Sequence, residues 1–139
     1  MLVFYGASWN SKSISVAAAI NTFIDSVHHL DDPFPPKVEV LYLSNDRSEQ
    51  EFESFIRKMN DKKPWCSLPW NDDKIQEIKE KFGLDSLPRV LVFDKNLELV
   101  TDNGAEDLVF LPPSACKSYW NQQLASRVNE EAVDDEKDE

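Results

Sequence analysis

The chain has 139 residues, 41% apolar and 11% aromatic, enough to bury the core of one domain and too apolar for a disordered chain. Its formal net charge of −11 disfavours nucleic acid and anionic membrane surfaces as partners. No stretch approaches the roughly 20 apolar residues needed to cross a bilayer.

The charge is unevenly placed. Residues Glu130 to Glu139 hold seven acidic side chains and one lysine, which leaves −5 on the rest of the chain. Residues 129–139 are therefore expected to be an acidic, disordered tail behind a domain of residues 1–128. The cysteines, Cys66 and Cys116, lie far apart with no metal-ligand spacing, as suits structural thiols in a reducing compartment. No basic stretch precedes the first apolar residues, which argues against a secretory signal. A cytoplasmic location is the expectation.

In chain order, Leu2 to Tyr5 is continuously apolar, as a buried parallel strand is. Ser11 to Leu30 reads as a helix, with Ile14, Ala18, Ile20, Phe23, Ile24 and Val27 near helical spacing and Asn10 as a favoured N-cap. Asp31-Asp32-Pro33-Phe34-Pro35-Pro36 stops it. Val38 to Leu43 is the second strand. Ser48-Glu49-Gln50-Glu51 is a capping box that opens a helix running to about Met59. Lys62 to Asp72 reads as a loop with two prolines and two tryptophans. Asp73 to Phe82 is a short helix ended by Gly83. Arg89 to Phe93 and Leu97 to Thr101 form a hairpin through Asp94-Lys95-Asn96, and Ser114 to Val128 is the closing helix.

Several of these segments share one resemblance. Tyr5-Gly6-Ala7-Ser8-Trp9-Asn10-Ser11-Lys12-Ser13 resembles the active-site loop of the thioredoxin superfamily, where a strand runs into Trp-Cys-x-x-Cys at the start of a helix. Val40-Leu41-Tyr42-Leu43-Ser44-Asn45-Asp46-Arg47, with its Ser-x-Asp turn, is similar to the second strand of the nucleoredoxin and tryparedoxin branch. Pro64-Trp65-Cys66-Ser67-Leu68-Pro69-Trp70 resembles that branch's Trp-x-x-Leu-Pro-Phe signature. Phe82-Gly83-Leu84-Asp85-Ser86-Leu87-Pro88 resembles its approach to a cis-proline, and Asn103-Gly104-Ala105-Glu106 and Ala115 to Trp120 continue the match. The resemblance covers roughly residues 1–128. It implies an α/β, thioredoxin-like fold: a central mixed four-stranded sheet, βαβ then ββα, flanked by helices.

The departures fall at Asn10 and Ser13, which stand where the family has its attacking and resolving cysteines. Exchange needs a thiolate, stabilised at a helix N-terminus, and a second thiol to resolve the mixed disulfide. An amide supplies neither. Both residues also suit a helical first turn on structural grounds alone. The expected function is therefore a redox-inactive interaction or scaffold component, with cytoskeletal and other large protein assemblies among the candidate settings. The alternative is an atypical thiol oxidoreductase using Cys66 alone, set against the ordinary role of a free cysteine as a small apolar filler.

Residual recognition would use the old active-site face. The resemblance implies that Trp9 flanks it and that the backbone at Leu87-Pro88, through a cis bond, pairs with an extended peptide. Trp65 and Arg89 complete the candidates, Arg89 for an acidic partner group. The adjacent His28 and His29 point to different sides of a helix and cannot chelate one metal together. The chain has only three glycines, leaving little room for a phosphate cradle. No metal, cofactor, nucleic acid or membrane is expected, and a protein partner is.

Overall fold

The computed structural model of the protein describes residues 1–28, 38–60, 65–94 and 96–123. In chain order the elements are β1 (Leu2–Gly6), α1 (Ser11–His28), β2 (Val40–Ser44), α2 (Glu49–Met59), β3 (Trp65–Ser67), α3 (Asp73–Phe82), β4 (Arg89–Phe93), β5 (Leu99–Thr101) and α4 (Gly104–Phe110). A further helix, α5, occupies residues 113–123. The strands form one mixed sheet in the order β3-β2-β1-β4-β5. β1 runs parallel to β2 and antiparallel to β4, β2 parallel to β3, and β4 antiparallel to β5.

Strand periodicity divides the core. Alternate side chains of a strand leave opposite faces, so Leu2 and Phe4 of β1 join Val40 and Tyr42 of β2 and Val90 and Val92 of β4 on one face. There they pack against Val16, Ile20 and Phe23 of α1 and Phe52 and Phe55 of α2. Val3, Tyr5, Leu43 and Leu91 point the other way, onto Ile75 of α3 and Leu84. All five residues of β1 are buried; a central strand covered on both faces has no solvent side, which is why its sequence does not alternate.

Local chemistry sets the helix ends. Ser48 accepts the Glu51 amide at α2, Asp72 accepts the Lys74 amide at α3, and Gly83 closes α3 at φ 64°, a left-handed conformation that costs glycine nothing. Gly104 opens α4 where a Cβ would lie 2.9 Å from Val92 Cγ2 and 3.0 Å from Val90 Cγ1, so α4 approaches β4 closely.

The sheet has five strands rather than the expected four. Residues 65–67, read from the sequence as loop, pair in parallel with Val40, Leu41 and Tyr42. Prolines and tryptophans around so short a segment hide the extended pattern. Trp65 is consequently a core residue, 5% exposed, and not a surface for a partner. Its ring meets Phe4 edge-on at 5.9 Å, and its indole N–H donates to Asn21 Oδ1 at 2.7 Å.

Other boundaries move for local reasons. The second strand begins at Val40 instead of Val38 and extends to Ser44. β5 begins at Leu99 instead of Leu97, because the Asp94 side chain accepts the Asn96 and Glu98 amides and Leu97 turns left-handed at φ 60°. α4 was not foreseen: seven residues with glycine first and no capping side chain carry little helical signal. The last helix starts at residue 113, one earlier than expected, with Pro113 in the first turn where its missing N–H does no harm. Residues 29–37, the expected continuation of the last helix to Val128, and the acidic segment 129–139 lie outside the described residues.

Trp65→Ala is expected to lower unfolding free energy by about 3–5 kcal/mol, as removal of a buried large aromatic does. Urea denaturation followed by circular dichroism measures it; an unchanged midpoint would mean that the ring does not stabilise the core.

Candidate functional site

The end of β1, the start of α1 and the turn after β2 meet at one edge of the sheet. Gly6 of β1 pairs with Ser44 of β2, and Asn45 N–H donates to the Gly6 carbonyl at 2.9 Å. Just beyond lies Asp46, 7% exposed. Its Oδ1 accepts the Ser8 amide at 2.6 Å and the Ser8 hydroxyl at 2.7 Å; its Oδ2 accepts Tyr42 OH at 2.9 Å and Ser44 Oγ at 2.6 Å. The Trp70 indole donates to the Asp46 carbonyl at 3.1 Å. A buried carboxylate is tolerable only when its oxygens are satisfied, and four donors do so here. The network pins Ser8, and with it the turn that carries Trp9 and Asn10.

Asn10 caps α1. Its Oδ1 accepts the Ser13 amide at 2.8 Å and the Ser13 hydroxyl at 3.0 Å. Ser13 is fully buried, so its hydroxyl has a structural partner and no solvent access. The two positions that would carry thiols thus form one capping unit.

Trp9 is 42% exposed. Its indole N–H donates to the Asn45 carbonyl at 3.0 Å, and the Arg47 guanidinium stands 4.9 Å from its ring centre. The turn after β2 therefore fixes Trp9 from two sides while one face stays open. Leu87-Pro88 is a cis peptide bond. Because Arg89 pairs with Tyr5, this bond lies near the end of β1. Arg89 lies 3.7 Å from the Asp85 carboxylate and 3.8 Å from that of Asp102, so two groups of its own chain already answer its charge.

Cys66 is brought elsewhere. On β3 it pairs with Leu41, which pairs with Val3; that is about 10 Å along the strands from Gly6 and about 10 Å across them. It is exposed, and its Sγ donates to the Val40 carbonyl at 3.2 Å. Burial of the sulfur, then the Glu39 carboxylate, pushes its pKa up, away from the thiolate a nucleophile needs. Cys116 is fully buried and pushed up to about 12 by burial and then by Asp107. Among the described residues no cluster of His, Cys, Asp and Glu could hold a metal ion, and no helix is long and apolar enough to cross a membrane.

The sequence profile of the thioredoxin-like family matches residues 1–99, a span that holds β1, the capped loop, the Ser-x-Asp turn and the cis-proline. The chain belongs to the thioredoxin-like family. Nucleoredoxin-like protein 1 of Mus musculus is 26% identical over 126 residues, which is 88% of this chain and 55% of that protein. The Homo sapiens protein of that name is 28% identical over 126 residues, 88% of this chain and 57% of its own length. The chain thus spans a little over half the length of these curated relatives. Among solved structures, tryparedoxin from Trypanosoma brucei superposes with TM-score 0.66 at 22% identity, covering 82% of this chain and 74% of that one. Thioredoxin from Wuchereria bancrofti gives 0.65 at 21%, covering 87% and 78%. At these identities the structures attest the thioredoxin-like fold alone.

Sequence reasoning did not single out Asp46, Tyr42 or Ser8 as parts of the site. The signal was present in Ser44-Asn45-Asp46, a short polar run closing an apolar strand.

Burial, and then the negative charge of Asp46, raise the pKa of Tyr42 above its ordinary value. The unfolded chain releases that proton near pH 10 while the folded chain keeps it, so this contribution is complete below pH 10 and is lost as pH rises further. Tyr42→Phe is expected to flatten the fall in stability above pH 10, read from urea midpoints across an alkaline series. An equal fall in the variant would place the effect in other groups.

Proposed function

We propose that this thioredoxin-like chain is a redox-inactive protein-interaction module, a component of a protein assembly, which binds an extended segment of its partner on the old active-site face. The observation that carries the reading is the Asn10 cap: the positions where exchange chemistry needs two thiols hold an amide and a buried hydroxyl bonded to each other. The same face keeps what recognition requires without a thiol. Trp9 presents a fixed, half-exposed ring, and the cis Leu87-Pro88 backbone leads into Arg89, which pairs with Tyr5 near the end of β1. An aromatic ring held in place offers large contact area at little entropic cost, and main-chain pairing supplies the rest. The partner is a protein, not nucleic acid or membrane, as the net charge of −11 favours. The setting we propose is cytoplasmic, with cytoskeletal assemblies included.

Oxidoreductase activity through Cys66 alone is disfavoured by its position on β3 and its raised pKa. Insulin reduction with a dithiol donor is expected to show no turnover above the uncatalysed rate. Turnover that disappears in Cys66→Ser would replace the module reading with the oxidoreductase one.

The face itself is tested with Trp9→Ala. Against the partner recovered by affinity capture of the intact protein, the substitution is expected to weaken binding by about 1–3 kcal/mol, with the melting temperature nearly unchanged. Unaltered affinity would move recognition to another surface, and unfolding would make the ring a core residue.

A further inference from the structure

Between β5 and α4 the chain carries an asparagine that can react with the residue after it. Of the asparagines in the sequence, only Asn103 is followed by glycine. The side-chain amide carbon of an asparagine is an electrophile, and the backbone nitrogen of the next residue is the nucleophile nearest to it along the chain. Glycine there has no side chain to hinder the approach.

The structure holds the reacting groups by few bonds. Asn103 is exposed. It stands at the N-cap of α4 but makes no side-chain capping bond; its amide nitrogen donates to Glu106 Oε2 at 3.2 Å. Gly104 supplies the first N–H of α4, a group that has no intrahelical acceptor. Ring closure requires Asn103 to rotate from its ψ of 27°, which brings its side chain to the Gly104 nitrogen. The Asp107 amide resists that rotation through a bond of 3.3 Å to the Asn103 carbonyl, and the close seat of Gly104 on Val90 and Val92 resists it too. With seven residues, α4 is too short to persist without that seat, and elements of this kind open locally.

We propose that Asn103 is a site of spontaneous covalent modification, converted in the folded chain to aspartate and isoaspartate, and that the isoaspartyl form releases α4 from β4. The Gly104 nitrogen gives its proton to solvent base and attacks Asn103 Cγ. A C–N bond forms and closes a cyclic imide; the Cγ–Nδ2 bond breaks, and ammonia leaves with a proton from water. Water then opens the ring. Attack at Cγ restores the backbone with an aspartate side chain. Attack at the main-chain carbonyl carbon leaves the backbone running through Cγ, one methylene longer. Nothing is oxidised or reduced, and water is the co-reactant in both outcomes.

The two products differ in consequence. An aspartate keeps the backbone, and a carboxylate suits a helix N-terminus. The isoaspartyl linkage inserts a backbone atom ahead of Gly104, which sits so close to β4 that a Cβ would lie 2.9 Å from Val92 Cγ2 and 3.0 Å from the Val90 carbonyl. That seat has no room for the longer chain.

The test incubates the folded full chain near neutral pH at physiological temperature, with a urea-unfolded sample as the reactive control. Tryptic peptides are mapped by tandem mass spectrometry, and isoaspartate is read by enzymatic carboxyl methylation. Residue 103 is expected to exchange NH₂ for OH in the folded sample and to accept methyl groups, while the other asparagines stay unchanged. The rate should rise with pH, because the attacking nitrogen must lose its proton. Asn103→Gln, an exposed change that retains an amide, should abolish both signals; Asn103→Ser replaces it if that variant misfolds. No conversion in the folded sample would overturn the proposal, as would aspartate without isoaspartate or methylation that persists in the variants. Hydrogen exchange of the separated isoaspartyl form should show lost protection at the Asp107 and Leu111 amides, which close the turns of α4. Protection equal to that of the fresh chain would overturn the release of α4.

Discussion

The arrangement of the site rests on the burial of one carboxylate. Asp46 lies where the chain leaves β2, and its two oxygens gather a backbone amide, two serine hydroxyls and a phenol from β1's exit loop and from β2. An unpaired charge at 7% exposure would be prohibitive; with four donors it becomes a clamp. No described buried side-chain nitrogen or oxygen lacks a hydrogen-bond partner. Because Ser8 is held through both its amide and its hydroxyl, the turn that follows is fixed before any contact to Trp9 is counted. The neighbours of Asp46 complete that placement, Asn45 through its carbonyl and Arg47 through its guanidinium.

This division of labour explains how a thioredoxin-like loop keeps its form without thiols. The positions of Trp9 and of the α1 start derive from β2's turn and from the Asn10 cap, not from chemistry between residues 10 and 13 across a disulfide. The scaffold and the reactive pair are separable parts, and the same edge of the sheet can present a recognition surface or a redox centre. The nucleoredoxin-like relatives are nearly twice as long as the matched region.

Much of the fold was legible because its signals are local. The apolar run Leu2 to Tyr5, the capping box at Ser48, Gly83 after Phe82 and the hairpin around Asp94 each announce themselves within a few residues. Asn10 as an N-cap and the cis bond before Pro88 were likewise readable, the first from propensity and the second from resemblance. What escaped depends on long-range pairing. Trp65 looks like a loop aromatic until Val40 is laid beside it, and no local pattern shows that its indole reaches Asn21. Asp46 reads as a turn residue, and only the return of Ser8 to the same point makes it central. Cys66 was a candidate as a lone thiol, and only strand register shows that it lies two strands away from β1.

The Asn10–Ser13 unit also bears on how such a chain can change over generations. Ser13→Cys leaves Asn10 Oδ1 accepting the residue 13 amide, and the helix start survives. Asn10→Cys made first strands both the Ser13 amide and its buried hydroxyl, which have Asn10 as their partner. In either order the Asn10 substitution removes the acceptor of the residue 13 amide, at a cost of about 1 kcal/mol at the helix cap; making Ser13→Cys first spares only the stranding of the buried hydroxyl. A thiol pair at these positions therefore displaces the cap, whichever substitution comes first.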